Sequence, residues 1–249
     1  MIPIKSPSEI EAMRQVGAIL AEALQEVAGA VQAGLYTRDL DQKAEEALRR
    51  RGALPAFKGY RGYPSALCIS VNEEVVHGIP GPRLLREGDL VSLDLGAVMN
   101  RYFADSTVTI PVGEVKPTLR ELLRVGQEAM MAGISMARSG NYLGDISAAI
   151  QYEAERHHFS VVREFVGHGI GRALHEEPQV PNFGQSGTGV MLKEGMVLAI
   201  EPMVNLGNAQ VEILRNGWTV VTSDRRPSVH FEHTVLITPS DPEILTEWK

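Results

Sequence analysis

The sequence predicts an α/β fold made of two duplicated halves. Three observations predict it: an order of two helices followed by strands occurs twice, short residue patterns recur at a nearly constant offset, and acidic residues sit at matching points inside apolar strand patterns. At 249 residues the chain is long enough to bury a substantial core and is read as one domain, 1–249, with halves at about 1–112 and 113–249.

Ser6-Pro7-Ser8-Glu9 is a helix start, with a capping hydroxyl, Pro at the first helical position and Glu at the third. Ile10, Met13, Val16, Leu20, Leu24 and Val27 follow near helical spacing, and Gly34 ends the helix. A second helix is expected from about Asp39 through Leu48, stopped by Gly52. Extended and turn segments alternate from Ala56 to Val112, punctuated by Gly59, Gly62, Pro64, Gly78 and Pro80-Gly81-Pro82. Within them, Val91, Leu93 and Leu95 alternate with Ser92, Asp94 and Gly96, while Phe103, Asp105 and Thr107 share one face of a second run. Gly96 to Arg101 is expected to make the bend between the two. Helices return at Thr118–Arg138 and Asp145–His158, and extended segments fill most of Val161–Thr238.

The duplication is visible residue by residue. Gly34, Tyr36, Asp39 and Leu40 match Gly140, Tyr142, Asp145 and Ile146 at an offset of 106. Glu87-Gly88 through Asp94 match Glu194-Gly195 through Glu201 at 107, and Asp105 through Ile110 match Glu232 through Ile237 at 127. The last step places an insert of about 20 residues near Asn205–Arg226.

Duplication pairs Asp94 with Glu201 and Asp105 with Glu232. Two halves packed about a pseudo-two-fold bring all four acids together, and four buried carboxylates repel one another unless cations hold them. Four carboxylates and one imidazole suit a pair of divalent ions, with Mn²⁺, Fe²⁺, Co²⁺ and Zn²⁺ all compatible. The best imidazole is His168, whose setting Gly167-His168-Gly169-Ile170-Gly171 lets the backbone approach closely.

The bulk composition narrows the function classes. A formal charge of −7 argues against a nucleic-acid binder, and Arg49-Arg50-Arg51 reads as the solvated end of a helix. Cys68 is the only cysteine, which excludes an intrachain disulfide and fits a reducing compartment. The N-terminal stretch turns polar and helical at once, unlike a secretion signal, and no apolar stretch approaches the ~20 residues that span a bilayer.

The ordered motifs Leu93-Asp94-Leu95-Gly96, Asp105-Ser106-Thr107, Gly167-His168-Gly169-Ile170-Gly171, His175-Glu176-Glu177-Pro178, Ile200-Glu201-Pro202, Asn216-Gly217-Trp218-Thr219 and Phe231-Glu232-His233-Thr234 resemble those of type I methionine aminopeptidases of bacterial kind. The resemblance runs almost end to end. It implies the pita-bread fold, with the site between the halves, and a cytoplasmic enzyme that removes the initiator methionine from nascent chains when the second residue is small. It implies two divalent metal ions, with Asp94 on one, His168 and Glu201 on the other, and Asp105 and Glu232 bridging them. The resemblance further implies that a hydroxide held between the ions would attack the first peptide bond, with Glu201 as proton carrier. His175 is implied as donor to the scissile oxygen and His77, in Val76-His77-Gly78, as a contact for the departing amide. Tyr60, Tyr63, Cys68 and Trp218 occupy the positions of the pocket for the methionine side chain, and Leu174 stands where bacterial relatives commonly have an aromatic residue.

His233 adjoins Glu232 and so points to the opposite strand face, which is read as structural. His157 and His158 are expected at the surface, and His230, on the same face as Glu232, at the edge of the site. The chain's own Met1-Ile2 start has a bulky second residue, so Met1 is expected to be retained. The partners implied are N-termini of nascent polypeptides, with transient ribosome contact compatible with that substrate, and a monomer is expected. Two other readings are a proline-directed relative with the same five ligands and a non-catalytic binding module of the same fold.

Overall fold

A computed structural model describes residues 2–248, so the expectation for Met1 lies outside the described residues. The first half contains helices α1 (Pro7–Ala28) and α2 (Thr37–Arg50), then strands β1 (Leu54–Pro55), β2 (Leu67–Val71), β3 (Glu74–Val76), β4 (Leu90–Met99) and β5 (Tyr102–Pro111). The second contains α3 (Pro117–Ser135) and α4 (Leu143–Glu155), then β6 (Ser160–Val161), β7 (Gly167–Gly169), β8 (Glu176–Val180), β9 (Val197–Ile200), β10 (Met203–Asn205), β11 (Val211–Ile213), β12 (Val220–Thr222), β13 (Ser228–His230), β14 (His233–Leu236) and β15 (Glu243–Ile244).

The start of α1 forms as its sequence dictates. Ser6 Oγ accepts the Glu9 N–H, and the Glu9 carboxylate accepts the Ser6 N–H. The helix stops at Ala28, six residues before Gly34, because Gly29 at its C-cap has the weakest propensity of any residue but Pro to continue it. The matched Gly-x-Tyr-x-x-Asp segments are equivalent helix entries: the N–H of Tyr36 donates to Asp39 and that of Tyr142 to Asp145. These acids sit near helix N-termini, where a carboxylate also favours the dipole. Both helices therefore begin two residues earlier than the sequence reading had them.

The β4–β5 hairpin is longer and its bend tighter than expected. Strand pairing runs from Leu90–Pro111 to Met99–Tyr102, leaving only Asn100 and Arg101 to turn. Both have positive φ (51° and 69°), as a two-residue hairpin turn requires, so the bend does not begin at Gly96. Gly96 lies opposite Asp105 and Asp94 opposite Thr107, which places both acids on one face as diagonal neighbours. In the second half β9 and β14 pair Ala199 with Thr234 and Ile200 with His233. Relative to the first half the register is shifted by two, which keeps every side chain on its face.

Helix α1 buries Met13, Val16, Leu20, Leu24 and Val27 against the β4–β5 hairpin, forming one core. Helices α3 and α4 pack on each other, and α3 covers β9, β10 and β13, forming a second. The halves are joined where Thr107 and Glu232 exchange backbone hydrogen bonds (2.9 and 3.3 Å) and where Thr234 Oγ1 bonds the Asp105 main chain in both directions. The joint between the cores is thus built from residues flanking the acids. The expected insert is the β11–β12 hairpin, whose β12 pairs with β3 of the first half. Among the described residues no helix is long and apolar enough to cross a membrane.

Candidate metal centre and active site

Asp94 projects from β4, Asp105 from β5, His168 from β7, Glu201 from the end of β9 and Glu232 from the segment between β13 and β14; all five line one cavity. Ligand atoms of Asp105, His168 and Glu232 lie within 4.8 Å of one another. Asp105, His168 and Glu232 are buried, at 4%, 7% and 2% exposure. Glu232 Oε2 accepts from the Thr107 hydroxyl (2.8 Å), while Glu232 Oε1 and Asp94 Oδ1 are buried without a partner. Orphaned buried oxygens cost free energy unless something meets them, and a cation between the acids would do so.

The tautomer of His168 fits the same requirement. Its Nδ1 lies 2.8 Å from the Gly169 carbonyl oxygen, which only accepts, so Nδ1 carries the proton. In the neutral ring Nε2 then presents a lone pair, 3.5 Å from Glu201 Oε1, and an outer carbonyl holding a ligand imidazole is a common feature of metal sites. Burial holds the His168 ring neutral, with its pKa lowered to about 3, the neighbouring His175 adding to the effect. Without a cation, burial pushes the carboxyls of Asp105, Glu201 and Glu232 well above the ordinary range, and repulsion from neighbouring acids, Asp94 in every case, adds to it. Asp94 is raised mainly by burial. The donor set of hard oxygens and one imidazole fits borderline divalent ions.

The cavity above the acids measures about 140 Å³, close to the ~150 Å³ void that admits one benzene-sized group. Tyr60, Tyr63, Cys68 and Trp218 line it, as do His77 and His175. Trp218 is presented by the β11–β12 turn, where Asn216 Oδ1 accepts the N–H groups of Trp218 and Thr219 (both 3.0 Å) and Gly217 takes φ 76°. The Trp218 ring stands edge-on to Tyr63 at 5.1 Å between centroids. Cys68 is buried in the cavity wall, and burial raises its thiol well above its usual range. Leu174 is buried in the wall.

His77 follows β3 with φ 58°, a left-handed conformation uncommon outside glycine. It stands edge-on to Phe165 at 5.7 Å, and burial lowers its pKa to about 4. The conformation depends on Gly78, where a Cβ would lie 2.0 Å from the Ile69 carbonyl oxygen. Gly78→Ala is expected to destabilise the fold by roughly 3 kcal/mol or more, because the clash is with the Ile69 backbone and forces it to move, and to lower the melting temperature accordingly in calorimetry. His175 ends the β7–β8 connection, with Tyr60 Oη 3.0 Å from its Nδ1 and the two rings stacked at 5.3 Å. Its ring lies 4.2 Å from that of His168.

Comparison with known proteins fixes the family at this point. The model of metallopeptidase family M24 matches residues 11–239, through all five candidate ligands. The chain belongs to metallopeptidase family M24. It is 48% identical over 246 residues to methionine aminopeptidase 1 of Bacillus subtilis and 50% identical over 246 residues to a methionine aminopeptidase of Clostridium perfringens, in each case covering 99% of both chains. The solved methionine aminopeptidase of Thermotoga maritima superposes with a TM-score of 0.98 at 48% identity, covering 99% of this chain and 100% of that one. Prolidase of Pyrococcus furiosus shares the fold at a TM-score of 0.81 and 26% identity, but this chain covers only 66% of it. The pita-bread architecture of the M24 family agrees with the duplicated halves read from the sequence, and M24 membership implies use of divalent metal.

Some residues at the M24 site were not singled out in the sequence. Phe57 and Arg61 also line the cavity. Arg61 stands between Gly59 and Gly62 beside Tyr60, and that Gly-bracketed aromatic was the available signal. His230 lies deeper than expected: it is 2% exposed, its Nε2 has no hydrogen-bond partner, and it stands 3.6 Å from Glu201 Oε2. His233 faces away from the acids, with Nδ1 3.0 Å from Thr246 Oγ1. His158 is exposed, while His157 is half-buried between Glu121 and Glu153.

Proposed function

We propose that this M24 chain is a metal-dependent aminopeptidase that removes the N-terminal methionine of peptides and nascent polypeptides, with two divalent ions held by Asp94, Asp105, His168, Glu201 and Glu232. One observation carries the reading: buried, unpartnered carboxylate oxygens lie at the floor of an apolar cavity with room for one unbranched side chain. Tyr63, Cys68 and Trp218 give that side chain soft and aromatic walls, to which a thioether is well suited. Bound divalent ions supply a strong nucleophile at neutral pH by acidifying water and polarise the scissile carbonyl. Asp105 and Glu232 each offer two oxygens and would bridge the ions, Asp94 would hold one of them, and His168 with Glu201 would hold the other.

Glu201 is the proton carrier in this reading. It lines the cavity floor beside His168, where it can take a proton from the attacking water and return it to the departing amine. His175 stands at the rim with Nδ1 held by Tyr60; when the tyrosine hydroxyl donates to Nδ1, Nε2 carries the proton and can donate to the oxygen on which charge develops. His77, opposite, contacts the departing amide. Mn²⁺, Fe²⁺, Co²⁺ and Zn²⁺ all suit the donors. The reading places the protein in the cytoplasm as a monomer acting on emerging chains, with any ribosome contact transient.

Hydrolysis of Met-Ala-Ser against an Xaa-Pro peptide, with and without chelator, tests this. The expected result is metal-dependent release of methionine from Met-Ala-Ser alone. Cleavage of Xaa-Pro alone would transfer the chain to the proline-directed branch of the fold, and no metal-dependent cleavage of either would favour a binding module.

A further inference from the structure

We propose that the ion pair between Lys5 and Glu176 is a positioning device that fixes the bend carrying His175; the proposal rests on the role assigned to His175 above. The two residues stand 171 apart in the chain, yet Lys5 Nζ lies 2.6 Å from Glu176 Oε2, and their side chains are only 5% and 11% exposed. Pairing a lysine this deep is costly unless its partner is itself fully used. It is: Glu176 Oε1 accepts the N–H groups of Arg172 (2.7 Å) and Ala173 (3.2 Å). One carboxylate thus closes the bend over residues 171–175 with one oxygen and is anchored through the other.

The anchor is rigid. The Lys5 N–H donates to the Gly195 carbonyl at 2.8 Å, tying the N-terminal segment to the turn before β9. The lysine stem lies so close to the bend that a Cβ on Gly171 would come 2.5 Å from Lys5 Cε and 2.8 Å from Glu176 Oε1. A second, exposed tie runs from Arg172 Nε to Glu9 Oε1 at 3.0 Å, and exposed pairs of this kind contribute little. The Phe103 N–H bonds the Gly171 carbonyl at 2.8 Å, fixing the start of the bend. Its far end, where His175 meets Tyr60, depends on Glu176. A catalytic donor displaced by about 1 Å can cost on the order of 100-fold in rate. Neither Lys5 nor Glu176 lines the cavity that holds the five candidate metal ligands, so their loss is expected to act on turnover and not on metal binding.

The test compares steady-state kinetics on Met-Ala-Ser at saturating Mn²⁺, together with calorimetric titration of Mn²⁺ into the metal-free chain. Lys5→Met is expected to lower kcat about 10- to 100-fold, with KM changed less than about twofold and Mn²⁺ affinity unchanged. Lys5→Arg is expected to keep most of kcat, since it keeps the charge. The neutral double variants decide the matter even where the single variant folds poorly. Lys5→Met with Glu176→Gln removes the unpaired charge and keeps an oxygen for the two amides, so it is expected to turn over faster than Lys5→Met but, with the anchor gone, slower than wild type. Lys5→Met with Glu176→Ala removes that oxygen and is expected to be as slow as Lys5→Met or slower. A wild-type kcat for Lys5→Met, or equal rates for the two double variants, would overturn the positioning role. His175→Ala serves as reference: if it is slow while Lys5→Met is not, the ion pair alone is wrongly assigned. If His175→Ala itself turns over normally, the role of His175 falls, and this proposal with it.

Discussion

Asp94→Ala or Glu232→Ala is expected to lower turnover of Met-Ala-Ser by at least about a thousandfold, beyond the ~10–100-fold that loss of a group supporting a metal ligand costs. In the proposed centre each substitution would remove one of five donors for two ions, and Glu232→Ala would also remove a bridge. Mn²⁺ affinity, measured by calorimetry, should fall with activity. A near-normal rate with either variant would refute the ligand assignment. The effect is expected to be larger than that of any pocket residue, because Tyr60, Tyr63, Cys68 and Trp218 shape the cavity without holding the ions.

The second large effect concerns stability without metal. Asp105, Glu201 and Glu232 have carboxyls raised well above the ordinary range, chiefly by burial. An acid raised in the folded state contributes stability that is fully present below its unfolded value, near 4, and is lost as pH rises through the folded value. The buried histidines act with the opposite sign: burial lowers His168 to about 3 and His77, His230 and His233 each to about 4, so they add stability as pH rises toward 6.5 and nothing further beyond it. Above about pH 6.5 the histidines add no further change, so the raised acids set the sign of the slope that remains. The metal-free chain should melt at a lower temperature at pH 9 than at pH 7. Saturating Mn²⁺ should reverse that slope, since the metal competes with protons for the same oxygens. Glu232→Gln removes one of the repelling charges while leaving an oxygen for the Thr107 hydroxyl. Without metal at pH 9 it should melt several degrees above the wild-type chain, each kcal/mol being about 2–4 °C for a protein of this size, although its turnover is expected to be strongly reduced. A metal-free Glu232→Gln chain that melts below wild type at pH 9 would show that the acids are not in mutual conflict.

Much of this was legible in the sequence, for identifiable physical reasons. The capping box at Ser6–Glu9 is local, so it forms wherever its four residues occur together. Asp94 and Asp105 were conspicuous because an acid inside an apolar strand pattern needs a partner, and the duplication then located Glu201 and Glu232. The β4–β5 bend was placed too early because Gly96 looked like a turn residue, whereas it is in the strand opposite Asp105 and the turn falls on Asn100 and Arg101. What could not be read was set by tertiary contact. The insert near Asn205–Arg226 could be counted but not placed; pairing of β12 with β3 is what carries Trp218 across to the first half. His230 stood two residues from a ligand, yet its approach to Glu201 Oε2 at 3.6 Å depends on how β13 and β9 are placed. Lys5 and Glu176 have no local signal at all, being brought together only by the completed fold.

The central claim, that two divalent ions lie among Asp94, Asp105, His168, Glu201 and Glu232, is tested most directly by anomalous diffraction from crystals of the chain grown with Mn²⁺. Two anomalous peaks about 3.5–4 Å apart are expected, one between Asp94 and the Asp105–Glu232 pair, the other between that pair, His168 and Glu201. A fully metal-loaded chain with no anomalous density among these five side chains, or with its ions elsewhere, would contradict the account.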